Sequence, residues 1–116
     1  MSNIKDASLA PSGRKKIEWV RSFMPALSKI EEQFEKEQPF KGMRIAVSVH
    51  LEAKTANLGL VLKKGGAEVY LSGCNPLSTQ DDVAAALASM DIMNVYAVHG
   101  DSEDEYWGRL KKALSF

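Results

Sequence analysis

The chain has 116 residues, room for one domain of ordinary size. Its 15 basic and 15 acidic side chains cancel, and without a basic excess to neutralise phosphates the composition argues against nucleic-acid binding. A single cysteine, Cys74, excludes an internal disulfide and a multi-cysteine zinc site and fits a reducing compartment. No run approaches about 18 consecutive apolar residues and the first residues carry no signal-type apolar core, so a cytoplasmic protein that does not enter a membrane is expected.

Residues 1–12 are polar and run into Ala10-Pro11-Ser12-Gly13, a turn signal before a helix start. Ile17, Val20, Phe23, Leu27, Ile30 and Phe34 then recur at spacings of three or four, one face of an amphipathic helix. Pro25 falls inside this pattern, where it removes a backbone donor and clashes with the preceding turn. The pattern therefore predicts a kink there, or two helices meeting at Met24-Pro25. The charged stretch Glu31 to Gln38, ended by Pro39, closes a helical arm over residues 1–40 whose apolar stripe needs cover from the rest of the chain or from a partner.

Residues 41–116 change character. Arg44 to Val49, Ala67 to Ser72 and Val95 to Val98 are short, β-branched-rich runs, as expected of parallel strands buried on both faces. Each is followed by a helical pattern: Leu58, Val61 and Leu62 stopped by Gly65-Gly66; Val83, Ala86, Leu87 and Met90 capped by Ser78 or Thr79; and Tyr106, Leu110, Ala113 and Leu114 after the capping-box spacing of Ser102 and Glu105. The lysine pairs Lys15-Lys16, Lys63-Lys64 and Lys111-Lys112 fall on separate helices and read as solvated faces. Strand–helix alternation implies right-handed βαβ units and a three-layer α/β fold of flavodoxin or Rossmann-like type. The expected sheet is short and parallel, of three βα units in order 2-1-3, which leaves the third strand at an open edge that a dimer or further chain would cover.

In open α/β sheets ligands bind beyond the carboxyl ends of the strands. Three segments fall there: His50 to Thr55, Gly73 to Gln80, and His99 to Asp101, with both histidines of the chain among them. The first gathers the imidazole of His50, the carboxylate of Glu52, the ammonium of Lys54 and the hydroxyl of Thr55. The same residues also suit a strand end and an exposed first helical turn. In the second, Asn75, Ser78, Thr79 and Gln80 are hydrogen-bonding groups beside a helix N-terminus, able to hold a hydroxylated ligand or simply to cap and turn the chain. Cys74 suits a small buried apolar position, and His99 an exposed loop. No GxGxxG follows a strand, and no P-loop, GxSxG or HExxH occurs.

The run SVHLEAKTANL, followed by GGAEVYLSGCNPLSTQDDVAAAL, resembles adenosylhomocysteinase, the enzyme family that splits S-adenosylhomocysteine into adenosine and homocysteine. The likeness extends along the chain, through SLAPSGRKKIEWVRSFMPAL at its start and VYAVHGDSEDEYW near its end. It implies that the chain is the N-terminal part of a nucleoside-binding substrate domain. It further implies that His50 lies at the ribose and takes part in proton transfer, that Glu52 and Lys54 contact the purine, and that Ser78, Thr79 and Gln80 line the crevice, with Thr55 and Asn75 nearby. The family uses NAD to oxidise the ribose. The NAD fold lies outside the matching segment, so this chain alone is expected to bind no cofactor, to hold nucleosides weakly and to be inactive, pairing as a homodimer or with the missing domain.

The sequence departs from the family at one place that bears on substrate. Many members read HMTVETA where this chain reads HLEAKTA, a form similar to that of thermophilic and archaeal relatives, so Glu52 replaces a threonine and Lys54 a glutamate. A glutamate accepts a hydrogen bond from the adenine amino group, whereas a lysine only donates, which suits the carbonyl of hypoxanthine and an S-inosylhomocysteine substrate. A free-standing or split module that binds a partner chain is the alternative from a different class.

Overall fold

The computed structural model describes residues 2–115. Within them the chain forms an all-parallel four-stranded sheet and five α-helices. Strand β1 is Asn3–Ile4. A 3₁₀ turn at Ala7–Leu9, capped by Asp6, leads into α1, Ala10–Ser22. Helix α2 is Pro25–Glu37. Three strand–helix units follow: β2 Arg44–Ser48 with α3 Ala53–Lys64, β3 Glu68–Ser72 with α4 Asp81–Ser89, and β4 Asn94–Ala97 with α5 Glu103–Leu114.

The long amphipathic pattern resolves into two helices at Met24-Pro25. Pro25 takes the first position of α2, where its missing N–H is not needed and its fixed φ suits the helix. Helix α2 ends at Gln38, in the left-handed region with φ 51°. The Gln38 side-chain amide donates to the Lys64 carbonyl at 2.7 Å and to Glu35 at 2.9 Å, tying the ends of α2 and α3 together. Gly66, at φ +98°, makes the expected stop after α3. Ser102 and Glu105 form the expected capping box on α5.

Two expectations are corrected. The sheet order is β1-β4-β3-β2 rather than 2-1-3. The strand expected at the centre, β2, is an edge strand, exposed at both ends and only half-buried between them. The strand expected at an open edge, β4, is flanked on both sides, because Asn3 and Ile4 pair with Tyr96 and Ala97. Strand–helix periodicity carries no information about lateral order, and a two-residue strand within a polar segment has no period to detect. The second correction concerns α4. Neither Ser78 nor Thr79 caps it; Gln80 holds that position with no side-chain hydrogen bond. Thr79 is instead buried beneath the loop, 4% exposed.

The sheet and helices share one core. Val69, Leu71, Val95 and Ala97 of the strands pack with Ala56 of α3, with Val83, Ala84 and Leu87 of α4 and with Ile17 of α1. Helix α5 lies outside that cluster and packs on the remaining face of β3 and β4. Helix α1 crosses α4 so closely that a Cβ on Gly13 would stand 1.8 Å from the Asp82 carbonyl oxygen. The expected arm is thus held to the α/β layers through α1 and β1. A polar clamp fixes α2 alongside. Arg21 donates to Asn57 at 2.6 Å and makes a two-pronged contact with Glu31 at 2.6 and 3.0 Å, joining α1, α2 and α3. Glu31 and Asn57 are 8% and 2% exposed, and the fork geometry satisfies both.

Gly13→Ala should therefore push α1 off α4 and cost about 1–3 kcal/mol in urea unfolding, as overpacking does elsewhere. Gly108 lies within α5 with nothing close to its Cα hydrogens. Gly108→Ala should stabilise by about 0.5–1 kcal/mol in the same assay.

Candidate functional site

The three loops after β2, β3 and β4 meet at the carboxyl end of the sheet and are stitched by backbone groups. The Leu51 carbonyl accepts from Gln80 N–H at 2.9 Å, and the Pro76 carbonyl from Gly100 N–H at 2.7 Å. Leu51 itself is fully buried, so the first loop is anchored between His50 and Glu52. Gly73 lets the second loop fold over Thr79, since a Cβ there would lie 2.8 Å from the threonine hydroxyl. Asn75 turns the loop by accepting from Leu77 N–H at 2.9 Å, and the Ser78 hydroxyl donates to the Asn75 carbonyl at 3.4 Å. His99 braces the third loop: its Nδ1 is 3.1 Å from the Thr79 carbonyl and its N–H donates to Asp81 at 2.9 Å.

His50 is exposed at the end of β2, and its Nδ1 lies 3.3 Å from Cys74 Sγ. Cys74 is exposed rather than buried as the sequence suggested: it sits at the loop surface, where the chain has already left the sheet. The two side chains come from different loops and form an imidazole–thiol pair open to solvent.

Glu52 is the N-cap of α3. Its Oε1 accepts from Lys54 N–H and Thr55 N–H, both at 3.1 Å, so part of its carboxylate already serves two otherwise unpaired helix donors. Lys54 projects from the first turn of α3 and is exposed. Beside them lies a groove of about 450 Å³ between α1 and the start of α3, lined by Lys15, Lys16, Trp19, Val20, Glu52, Ala53, Lys54 and Gln80. Glu52, Lys54 and Gln80, singled out from sequence, are brought together here. His50, Thr55, Asn75, Ser78 and Thr79 are not among the lining residues. Lys15, Lys16 and Trp19 were missed. The lysine pair read as a solvated face, and Trp19 lies off the apolar stripe of α1; a tryptophan on a charged helical face was the available signal.

One wall of the groove is held by charge. Lys16 Nζ lies 2.8 Å from Asp82 Oδ2, and the Ser12 hydroxyl donates to the same oxygen at 2.7 Å. Burial opposes ionisation of Asp82, but hydrogen bonds from Lys16 and Ser12, the Lys16 charge and the Val83 N–H outweigh it and hold its carboxyl below the ordinary value.

The same helix ends bear on a dinucleotide. A pyrophosphate needs uncommitted N–H groups and a positive helix N-terminus. The α3 terminus carries Glu52, the α4 terminus Asp81 and Asp82, and the α5 terminus Glu103, Asp104 and Glu105. Carboxylates at all three repel a pyrophosphate, so the residues present do not fit NAD. Among the described residues no cluster of three or more His, Cys, Asp or Glu side chains is arranged to hold a metal ion. No helix of the described residues is long and apolar enough to cross a membrane.

The S-adenosyl-L-homocysteine hydrolase family model matches residues 1–116. The chain belongs to that family. It is 53% identical over 114 residues to the S-inosyl-L-homocysteine hydrolase of Methanococcus maripaludis, covering 98% of this chain and 27% of the relative. It is 57% identical over 111 residues to the adenosylhomocysteinase of Pyrococcus abyssi, covering 96% of this chain and 26% of the relative. The adenosylhomocysteinase of Aquifex aeolicus is 48% identical over 112 residues, with 97% and 27% covered. The chain thus spans about a quarter of the length of these curated relatives.

Because the folded-state carboxyl of Asp82 is depressed, its contribution is present above the unfolded value near pH 4 and is lost as pH falls through the folded value. Asp82→Asn should therefore lower the thermal midpoint at pH 7, and the gap from the parent chain should close as the pH is taken well below 4. A gap independent of pH would show that Asp82 acts through packing and not through its charge.

Proposed function

We propose that residues 1–116 form one wall of the substrate site of an adenosylhomocysteinase-like enzyme, which reversibly hydrolyses S-adenosylhomocysteine to adenosine and homocysteine in methyl-group metabolism. The observation that carries this is the meeting of Glu52, Lys54 and Gln80 along one groove at the carboxyl end of the sheet, in a chain of this family. The groove takes the purine. His50 takes the ribose side, where an imidazole accepts or returns a proton at the sugar, and the Cys74 thiol at 3.3 Å fixes its ring. Thr55, Asn75, Ser78 and Thr79 shape the loops around that crevice. NAD, when bound to the enzyme, supplies the oxidation of the ribose. Since the helix ends here repel a pyrophosphate, it is held by residues other than these, and the 116-residue chain binds nucleosides weakly without turning them over. The outer edge of β2, unpaired among the described residues, takes a second copy or the rest of a longer enzyme.

A specific feature favours the inosyl over the adenosyl substrate. Glu52 spends Oε1 on the cap of α3, which leaves the exposed Lys54 as the cation on the α3 side of the groove. An ammonium donates and cannot accept. It therefore prefers the C6 carbonyl of hypoxanthine to the C6 amino group of adenine. Relatives of both names match at similar identity, so overall similarity does not choose between them.

Titration of the chain with inosine and adenosine should show tighter binding of inosine. Lys54→Glu should reverse the order, each change being about tenfold, the size of one hydrogen bond to a charged group. An adenosine preference in the parent chain that survives the substitution would remove the inosyl assignment.

A further inference from the structure

We propose that Trp19 is the stacking wall of the purine site, so that α1 supplies the base contact and not only a packing surface; this rests on the substrate-site assignment above. Trp19 is 65% exposed, although tryptophan side chains usually bury most of their area. It stands on the α1 side of the groove whose other side is the first turn of α3 with Lys54 and the Gln80 corner. Phe23, one helical turn on, supports the indole from its far end, with ring centroids 4.6 Å apart and planes inclined at 44°. The position of α1 is set independently of any ligand, by the Gly13 approach to Asp82 and by the Lys16–Asp82 pair. The indole is thus presented on a helix fixed against α4 rather than on a loop.

The chemistry of the lining names the occupant. A flat, weakly polar surface, with Lys15 and Lys16 on its own helix and Lys54 and the Gln80 amide opposite, suits a planar heteroaromatic with an acceptor at its edge. It does not suit a polyanion: Glu52 shares the wall, and Lys16 is already paired with Asp82. A purine stacked on Trp19 reaches Lys54 with its C6 substituent. Stacking is indifferent to which group stands at C6, so Trp19 adds affinity for both nucleosides while Lys54 selects between them. The two roles are separable.

The test uses the 116-residue chain and amide and indole proton–nitrogen spectra with inosine as probe. The chain holds two tryptophans, and Trp107→Phe assigns the indole signals. Inosine should shift the Trp19 indole signal together with the Lys54 and Gln80 amides. Trp19→Ala should weaken inosine and adenosine equally, roughly tenfold, leaving their ratio unchanged. Trp19→Phe should recover most of that loss. Shifts at Lys54 and Gln80 without one at Trp19 would overturn the stacking role and leave the substrate-site assignment standing. No shift at any of the three would overturn both. Broadening of the Trp19 signal with protein concentration alone, and no response to nucleoside, would mark the groove as a contact between copies and overturn the proposal.

Discussion

Of all the glycines, Gly13 has the least room for a side chain, because its backbone lies against the carbonyl of Asp82. Everything that makes the groove depends on it. A side chain of any size at residue 13 would hold α1 away from α4. With hydrogen there, α1 lies low enough for Ile17 to enter the core, for Ser12 and Lys16 to reach the Asp82 carboxylate, and for Trp19 to face the first turn of α3. The Arg21 fork then fixes α2 to the same frame through Glu31 and Asn57. A helix–helix contact of this kind transmits a single small residue into the placement of a whole wall, because close-packed interiors leave no slack to absorb an added carbon.

The carboxyl end of the sheet shows a division of labour. Backbone groups do the joining: Leu51 to Gln80 and Pro76 to Gly100. The side chains of Asn75 and Ser78 are consumed in shaping their own loop, and the Thr79 carbonyl meets His99 Nδ1. What stays available at the surface is small and chemically distinct. His50 and Cys74 set an imidazole beside a thiol on one side, and Lys54 and Trp19 set an ammonium across a groove from an indole on the other. The acidic helix ends disfavour a pyrophosphate more than an uncharged ring, because the carboxylates add negative charge where a helix N-terminus would otherwise attract an anion.

Much of the chain was legible in its sequence for plain reasons. Long amphipathic segments announce α1 to α5 because helical spacing repeats over several turns, and glycine, proline and capping residues mark their ends. The break at Met24-Pro25, the stop at Gly66 and the capping box at Ser102 were all of this kind. The sheet order was not legible, because β1 is two residues long and lateral neighbours leave no mark on periodicity. The resemblance put Glu52 at the purine, but nothing linear shows that its own helix takes up Oε1. Trp19 was overlooked for a related reason: its partners in the groove are more than thirty residues away.

By itself the sequence determined the α/β class, the family through its HLEAKTA and CNPLSTQDD runs, and the three loops that follow the strands, since these follow from local pattern and residue chemistry. Only the tertiary structure decided which of those residues share a surface. Lys54 and Gln80 meet Trp19 across a groove, while His50 turns to Cys74. That choice is made by how closely two helix backbones can pack, and at Gly13 the limiting distance is set by the absence of one carbon atom.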